Sequence, residues 1–248
     1  MFGSRGVQFR LLGFPVRVEA SFLVMAAILG IGSGSLQGIL AWMVAVFVSV
    51  LLHELGHAVV VRTYGIRPEI VLYGMGGQTR YTAWRPLNPW QEIAISAAGP
   101  GIGLIVGAAL WLNLRQLGAP SAPILRMLLN SLLWVNIVWS LLNLLPILPL
   151  DGGNIMASIM HLARGYRREE LPLAISVICG VAVGLVALYF GRIFGTILVA
   201  MFTLQNVARF RAYGTGLTRS EVRVAQVVIV VLAALLMGGY WLLTSGDG

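Results

Sequence analysis

Residues 53–57 read His-Glu-Leu-Gly-His and lie inside an apolar run long enough to cross a bilayer. On an α-helix, positions i and i+4 stand one turn apart on the same face, so His53 and His57 can offer two ring nitrogens to one Zn²⁺. Glu54, one residue on, is then placed to act on a water beside the ion. The pattern is equipment for hydrolysis set where water is scarce, because an unpaired carboxylate in apolar surroundings is too costly to be there by accident.

Two imidazoles do not complete a catalytic zinc site, which takes three protein ligands and one open position. The remaining histidine is His161, and the acidic residues besides Glu54 are Glu19, Glu69, Glu92, Asp151, Glu169, Glu170, Glu221 and Asp247. Most of these carboxylates sit near the ends of apolar runs beside arginines, where solvation and ion pairing account for them. Asp151 differs. It ends the stretch Asn143-Leu-Leu-Pro146-Ile-Leu-Pro149-Leu-Asp151 and precedes Gly152 and Gly153. Two prolines without backbone donors and two glycines free in φ should unwind a helix here and let the carboxylate turn inward. Asp151 is therefore the expected third ligand; His161, nearer the cluster Arg164, Arg167 and Arg168, reads as an interfacial histidine.

The elements that must position these groups are membrane spans. The chain has 248 residues, 58% of them hydrophobic and 10% charged, with a mean hydropathy of +0.87, values of an integral membrane protein. All 17 basic residues are Arg, so Schiff-base and Ser-Lys mechanisms are excluded. Cys179 is the single cysteine, which permits neither an intrachain disulfide nor a thiolate cluster. The net charge of +8 comes from arginines clustered between apolar runs, the distribution of topology signals, and no nucleic-acid partner is expected.

Apolar runs of spanning length occur at 20–36, 38–61, 91–113, 124–145, 171–190, 193–208 and 223–243, the division near Gly191 and Arg192 being the least marked. With a cytoplasmic N-terminus, fourteen of the seventeen arginines fall on the inner side and only Arg115, Arg126 and Arg192 outside. This predicts an all-α polytopic fold in a single membrane domain over 1–248: a six-span core (1–209) followed by an additional span within 210–248 that leaves the C-terminus outside. The basic N-terminal segment reads as the lead to a retained signal anchor. His53 precedes Arg62 by nine residues, about 13 Å along a helix, so the metal is expected in the inner half of the membrane. Residues 66–82, broken by Pro68, Gly74, Gly76 and Gly77 and otherwise β-branched, aromatic and polar, predict a small membrane-associated β segment.

The chain resembles the site-2 protease family of intramembrane zinc metalloproteases. Both family motifs are present in order on separate spans: HExxH at 53–57, and NxxPxxPLDGG at 143–153. The resemblance extends over about 20–208 and includes 74–81, similar to the family's β segment, and Ser96-Ala97-Ala98-Gly99-Pro100, similar to its glycine-proline helix. It implies a zinc metalloendopeptidase holding one Zn²⁺ per chain through His53, His57 and Asp151, with Glu54 as catalytic base. The implied substrates are single-span membrane proteins, cut within the bilayer near its cytoplasmic side in a prokaryotic cell membrane. Asn143 is a candidate donor to the substrate backbone or the oxyanion, with Asn136 two turns earlier; helix capping or interhelical bonding explains Asn143 equally well. No inserted PDZ or appended CBS domain fits in this length. Intramembrane His and Asp also mark ion pathways, so the competing function is a metal transporter or a non-catalytic metal-binding membrane protein. Glu54 separates the two, since a transporter has no need of a carboxylate directly beside the first histidine.

Overall fold

The computed structural model describes residues 6–164 and 170–215, which divide into two compact units, one up to Leu144 and one from Leu145. The seventh span expected over 223–243 lies outside the described residues, as do Arg5, Arg167, Arg168, Arg219 and Arg223.

The first unit begins with strands β1 (Gly6–Leu11) and β2 (Phe14–Glu19). They are joined by a two-residue turn in which Leu12 and Gly13 both have positive φ, 52° and 84°. That turn carries the twist an antiparallel pair needs, and Leu11 pairs with Phe14 across it. Helix α1 (Ala20–Gly30) follows, with a 3-10 turn at Ile31–Ser33, and then the long helix α2 (Leu36–Thr63). Ser35 caps α2, its hydroxyl accepting from the Gly38 amide at 3.1 Å. Strands β3 (Glu69–Tyr73) and β4 (Gly76–Arg80) form the hairpin expected within 66–82. The four strands make one sheet in the order β1-β2-β3-β4, with β2 and β3 parallel and the outer pairs antiparallel.

Residues 6–19 thus form strands where the sequence reading placed only a basic lead. The alternation Phe14, Val16, Val18 is the period-2 signal of that pairing: these three are buried, and they pack with Ile70 and Leu72 of β3 against Val50, Leu51, Leu55 and Ala58 of α2. Arg62 fastens the hairpin to the end of α2, donating to the Leu12 carbonyl at 3.0 Å and lying over the Phe14 ring at 4.1 Å. Arg17 of β2 pairs with Glu69 of β3 at 2.7 Å.

This sheet explains why the first apolar run is a short helix. With its turn, α1 covers 14 residues (Ala20–Ser33), about 21 Å at 1.5 Å per residue against the ~30 Å of a hydrocarbon core. The sheet already lies beside the last turns of α2, so α1 has only the remainder of that helix to run along. Its Phe22 meets Phe47 edge-on at 6.3 Å, and its Gly30 lies against Ile39 and Trp42.

Helix α3 (Pro89–Leu117) opens with a capping box in which Asn88 and Gln91 exchange hydrogen bonds of 2.9 and 3.0 Å. Helix α4 (Pro123–Trp134) passes through a π-helical turn at Val135–Trp139 into the short α5 (Ser140–Asn143). Both α3 and α4 pack on α2.

The second unit holds α6 (Asp151–Arg164), α7 (Glu170–Tyr189) and α8 (Ile193–Thr215), with α7 packed on both α6 and α8. Gly191, at φ +66°, makes the break between α7 and α8 that the sequence left least marked. Among the described residues, five helical segments are long and apolar enough to cross a membrane: Leu36–Thr63, Pro89–Leu117, Pro123–Asn143, Glu170–Tyr189 and Ile193–Tyr213.

Candidate metal centre

From Val50 to Ala58 every residue of α2 except Leu52 is buried, including His53, Glu54 and His57. A helix enclosed on all sides belongs in a protein interior, and three titratable groups at its centre need partners. Ile95 of α3 provides one: the His57 Nδ1 lies 2.6 Å from the Ile95 carbonyl oxygen. A carbonyl only accepts, so Nδ1 carries the proton and donates, which leaves the Nε2 lone pair unprotonated and aimed by the same bond.

That Nε2 lies 3.1 Å from Nε2 of His53. Two ligands at 2.0–2.1 Å from a tetrahedral ion stand roughly 3.3 Å apart, so the two nitrogens are spaced to share one Zn²⁺. Space for an ion is kept on the α3 side by Gly99, where a Cβ would lie 2.8 Å from His53 Nε2 and closer still to His57 Nε2. Gly56 does the same for the helix backbones, since a Cβ there would meet the Ala98 carbonyl oxygen at 2.6 Å. Nitrogen donors, a fixed tautomer and a gap no side chain could fill together fit zinc.

Glu54 is held from the other side by the sheet. The Thr79 hydroxyl of β4 lies 2.7 Å from Glu54 Oε2 and donates to it, with the Glu54 backbone carbonyl 3.0 Å away as an alternative acceptor. Gly77 crosses directly over the carboxylate, where a Cβ would meet Glu54 Cγ and Oε1 at 2.5 Å. Burial, and next the charge of Glu54, raise the pKa of the neighbouring Tyr73 phenol on β3 above its ordinary value. The β segment is therefore part of the site's wall.

One turn before His53, the Ser49 hydroxyl accepts a 2.8 Å bond from Asn136 Nδ2 in the π-helical turn; the same amide reaches the Leu132 carbonyl at 2.8 Å. Asn136 is 2% exposed. Asn143 ends α5, half-buried, and the π-helical turn that holds Asn136 lies within the seven residues that separate the two asparagines.

Asp151 belongs to the second unit. The chain unwinds after Asn143, as the two prolines predict, and Asp151 then opens α6, half-buried in its first turn. His161 lies ten residues further along the same helix, about 15 Å away. A single ion cannot be bound by both.

Gly77 belongs to the β segment that the sequence already offers as a wall of the site. Thr79, Gly99 and the Ile95 carbonyl carry no such signal: the glycine-proline stretch around Gly99 shows only as a resemblance, and nothing local to any of the three reveals that it faces α2.

A helix that brings two imidazoles together beside a buried carboxylate, walled by a small sheet and packed among apolar helices, has the donor set of a metal centre in a membrane protein. The sequence profile of peptidase family M50 matches residues 41–119 and 116–187, and the chain belongs to that family, the one its two motifs resemble. A zinc metalloprotease of Methanocaldococcus jannaschii is 30% identical over 206 residues, covering 79% of this chain and 56% of its own length. A Synechocystis relative is 28% identical over 219 residues, covering 79% of this chain and 57% of its own. The chain thus spans little more than half the length of these relatives. Among solved structures, the site-2 protease from Methanocaldococcus jannaschii superposes with a TM-score of 0.55 at 28% identity, over 80% of this chain and 91% of that one. The five long apolar helices among the described residues, in a chain of this family, make it an integral membrane protein.

Proposed function

We propose that this chain is a zinc metalloendopeptidase that hydrolyses peptide bonds within the transmembrane segments of single-span membrane proteins. The observation that carries the reading is the convergence of His53 Nε2 and His57 Nε2 at 3.1 Å beside a buried Glu54. Asp151 is the proposed third ligand: it completes the family's paired motif, and it is the acidic residue that opens a helix directly after a proline break.

When bound, zinc lowers the pKa of a coordinated water toward about 7 and polarises a peptide carbonyl. His53 and His57 would hold the ion through their Nε2 atoms, with the His57 ring fixed by its bond to the Ile95 carbonyl. Glu54 takes the water's proton as it attacks the carbonyl and passes it to the departing amine, so that bond cleavage leaves one carboxyl and one amino terminus. The Thr79 hydroxyl keeps the Glu54 carboxylate turned to the site, and Asn143 is the candidate donor to the substrate backbone.

A transmembrane substrate hides its amides in its own helix and has to unwind locally to be cut. The strand at the open end of the sheet order, β4, lies against Glu54, and it offers backbone groups to which an unwound segment can add as a further strand. The N-terminus is proposed to be cytoplasmic. Parallel pairing of β2 with β3 brings residues 16–18 and 70–72 together at the end of α2 where Arg62 lies, in keeping with the arginine bias. Cleavage then falls toward the cytoplasmic side.

The test is co-expression with single-span substrates, comparing wild type with Glu54→Gln and Asp151→Ala. The reading expects cleavage to be lost in both and zinc to be retained in Glu54→Gln. Unchanged processing in both variants overturns it.

A further inference from the structure

We propose that two buried side chains in the second unit, Ser176 of α7 and Asn206 of α8, are positioning residues for Asp151, acting through the peptide of Leu148. The inference rests on the reading of Asp151 as a zinc ligand. It concerns how a carboxylate on a short, proline-broken connection comes to be held well enough to grip an ion.

The connection between Leu145 and Leu150 has little regular structure of its own. Its internal backbone bonds run from the Ile147 amide to the Leu145 carbonyl at 2.7 Å and from the Leu150 amide to the Ile147 carbonyl at 2.8 Å. Neither uses the polar groups of Leu148. Those are taken by side chains from α7 and α8. The Leu148 amide donates to Ser176 Oγ at 3.1 Å, and the Ser176 hydroxyl in turn donates to the Pro172 carbonyl at 2.8 Å. The Leu148 carbonyl accepts from Asn206 Nδ2 at 2.7 Å. Both side chains are buried, Ser176 at 0% and Asn206 at 1% exposure.

The Ile147–Leu148 peptide, the one whose amide Ser176 holds, is also the floor for the start of α6. A Cβ on Gly153 would lie 2.5 Å from the Leu148 amide nitrogen and 2.6 Å from the Ile147 carbonyl carbon, so the first turn of α6 rests directly on it. Asp151 lies between the clamped peptide, three residues before it, and the packed glycine, two residues after it. Moving the Leu148 peptide therefore moves the backbone that carries Asp151.

The chemistry of Asn206 argues that this contact is its purpose. Facing a carbonyl, its amide has to present the NH₂ group, which turns Oδ1 away, and Oδ1 has no partner among the described residues. An aliphatic side chain would fill this buried position of α8 without that cost; what it cannot do is donate to Leu148. Outer groups that orient a metal ligand are typically worth 10–100-fold in metal affinity.

The experiment measures zinc affinity by chelator competition on the full-length protein in detergent, with helical content and elution profile checked for each variant. Asn206→Leu and Ser176→Ala are expected to weaken zinc binding about 10–100-fold, with cleavage of a transmembrane substrate recovering at excess zinc and KM little changed. Ser176→Thr, which keeps a hydroxyl, is expected to stay near wild type. Thr203→Val is the control: it removes a buried hydroxyl of α8 that bonds only its own helix, at the Val199 carbonyl, and is expected to leave zinc affinity unchanged. Should Asn206→Leu fail to fold, Ser176→Ala carries the test alone. Wild-type affinity in the folded variants, or an equal loss in Thr203→Val, overturns the inference. Asp151→Ala separates the two readings: if it releases zinc while Asn206→Leu and Ser176→Ala do not, only the positioning role fails, whereas unchanged zinc in Asp151→Ala removes the ligand assignment and this inference with it.

Discussion

Replacing Gly99 by alanine is the smallest change that should empty the metal centre. The added Cβ would stand 2.6 Å from His57 Cε1 and 2.8 Å from His53 Nε2. Ordinary carbon contacts begin near 3.5 Å, so the rings would have to retreat by at least about 0.7–0.9 Å, and the His57 Nε2 edge, which is closer still, by more. Zinc–ligand distances tolerate only about 0.2 Å. His57 cannot swing aside freely, because its Nδ1–H is tied to the Ile95 carbonyl at 2.6 Å. At least one imidazole should be lost, which costs at least as much as losing an outer partner of a ligand, about 10–100-fold in affinity or about 1.4–2.7 kcal/mol, and the crowding itself should destabilise the fold by roughly 1–3 kcal/mol. The assay is zinc content of the purified protein followed by chelator titration. Gly101→Ala is the comparison, since a Cβ there meets nothing within 4 Å on the same helix, and it should bind zinc as wild type does. Wild-type affinity in Gly99→Ala, with Gly101→Ala also normal, would refute the geometry derived for the pair of nitrogens.

Three further outcomes follow from the wall of the site. Gly77→Val pushes a branched side chain onto the Glu54 carboxylate and should impair cleavage strongly while zinc stays bound; full activity would count against the β segment as part of the centre. Thr79→Val removes the hydroxyl that donates to Glu54 at 2.7 Å, and a hydrogen bond to a charged group is worth about 1.5–3 kcal/mol, so kcat should fall about tenfold or more at unchanged zinc content. Asn136→Leu leaves Ser49 without the amide that bonds it; a loss of about 1–3 kcal/mol in unfolding free energy is expected, read as a lower Tm in detergent.

The sequence revealed the parts of the site that are local. His53, Glu54 and His57 fall within five consecutive positions on one helix, and their spacing points to a shared metal ion. The break before Asp151 was legible because prolines and glycines act on the backbone wherever they stand. The β3–β4 hairpin was legible for the same reason, through Gly74, Gly76 and Gly77. The β1–β2 hairpin has its own signal in the alternation of Phe14, Val16 and Val18, but Arg5, Arg10 and Arg17 invite a topology reading of the whole segment. Arg17 in fact pairs with Glu69 across the sheet. The short α1 was not legible at all: 20–36 is apolar enough to span, and only the sheet beside the end of α2 shows why the helix stops at Gly30. Thr79, Gly99, Ser176 and Asn206 belong to this second kind, because each acts on a residue more than twenty positions away.

X-ray absorption at the zinc edge of the purified protein tests the central claim most directly, since it reads the ion's donors without needing a substrate. The account predicts one zinc per chain in a shell of nitrogen and oxygen at about 2.0–2.2 Å with two imidazoles and no sulfur. His57→Ala should remove an imidazole contribution, and Asp151→Ala an oxygen. A zinc shell that is the same in wild type, His57→Ala and Asp151→Ala would contradict it.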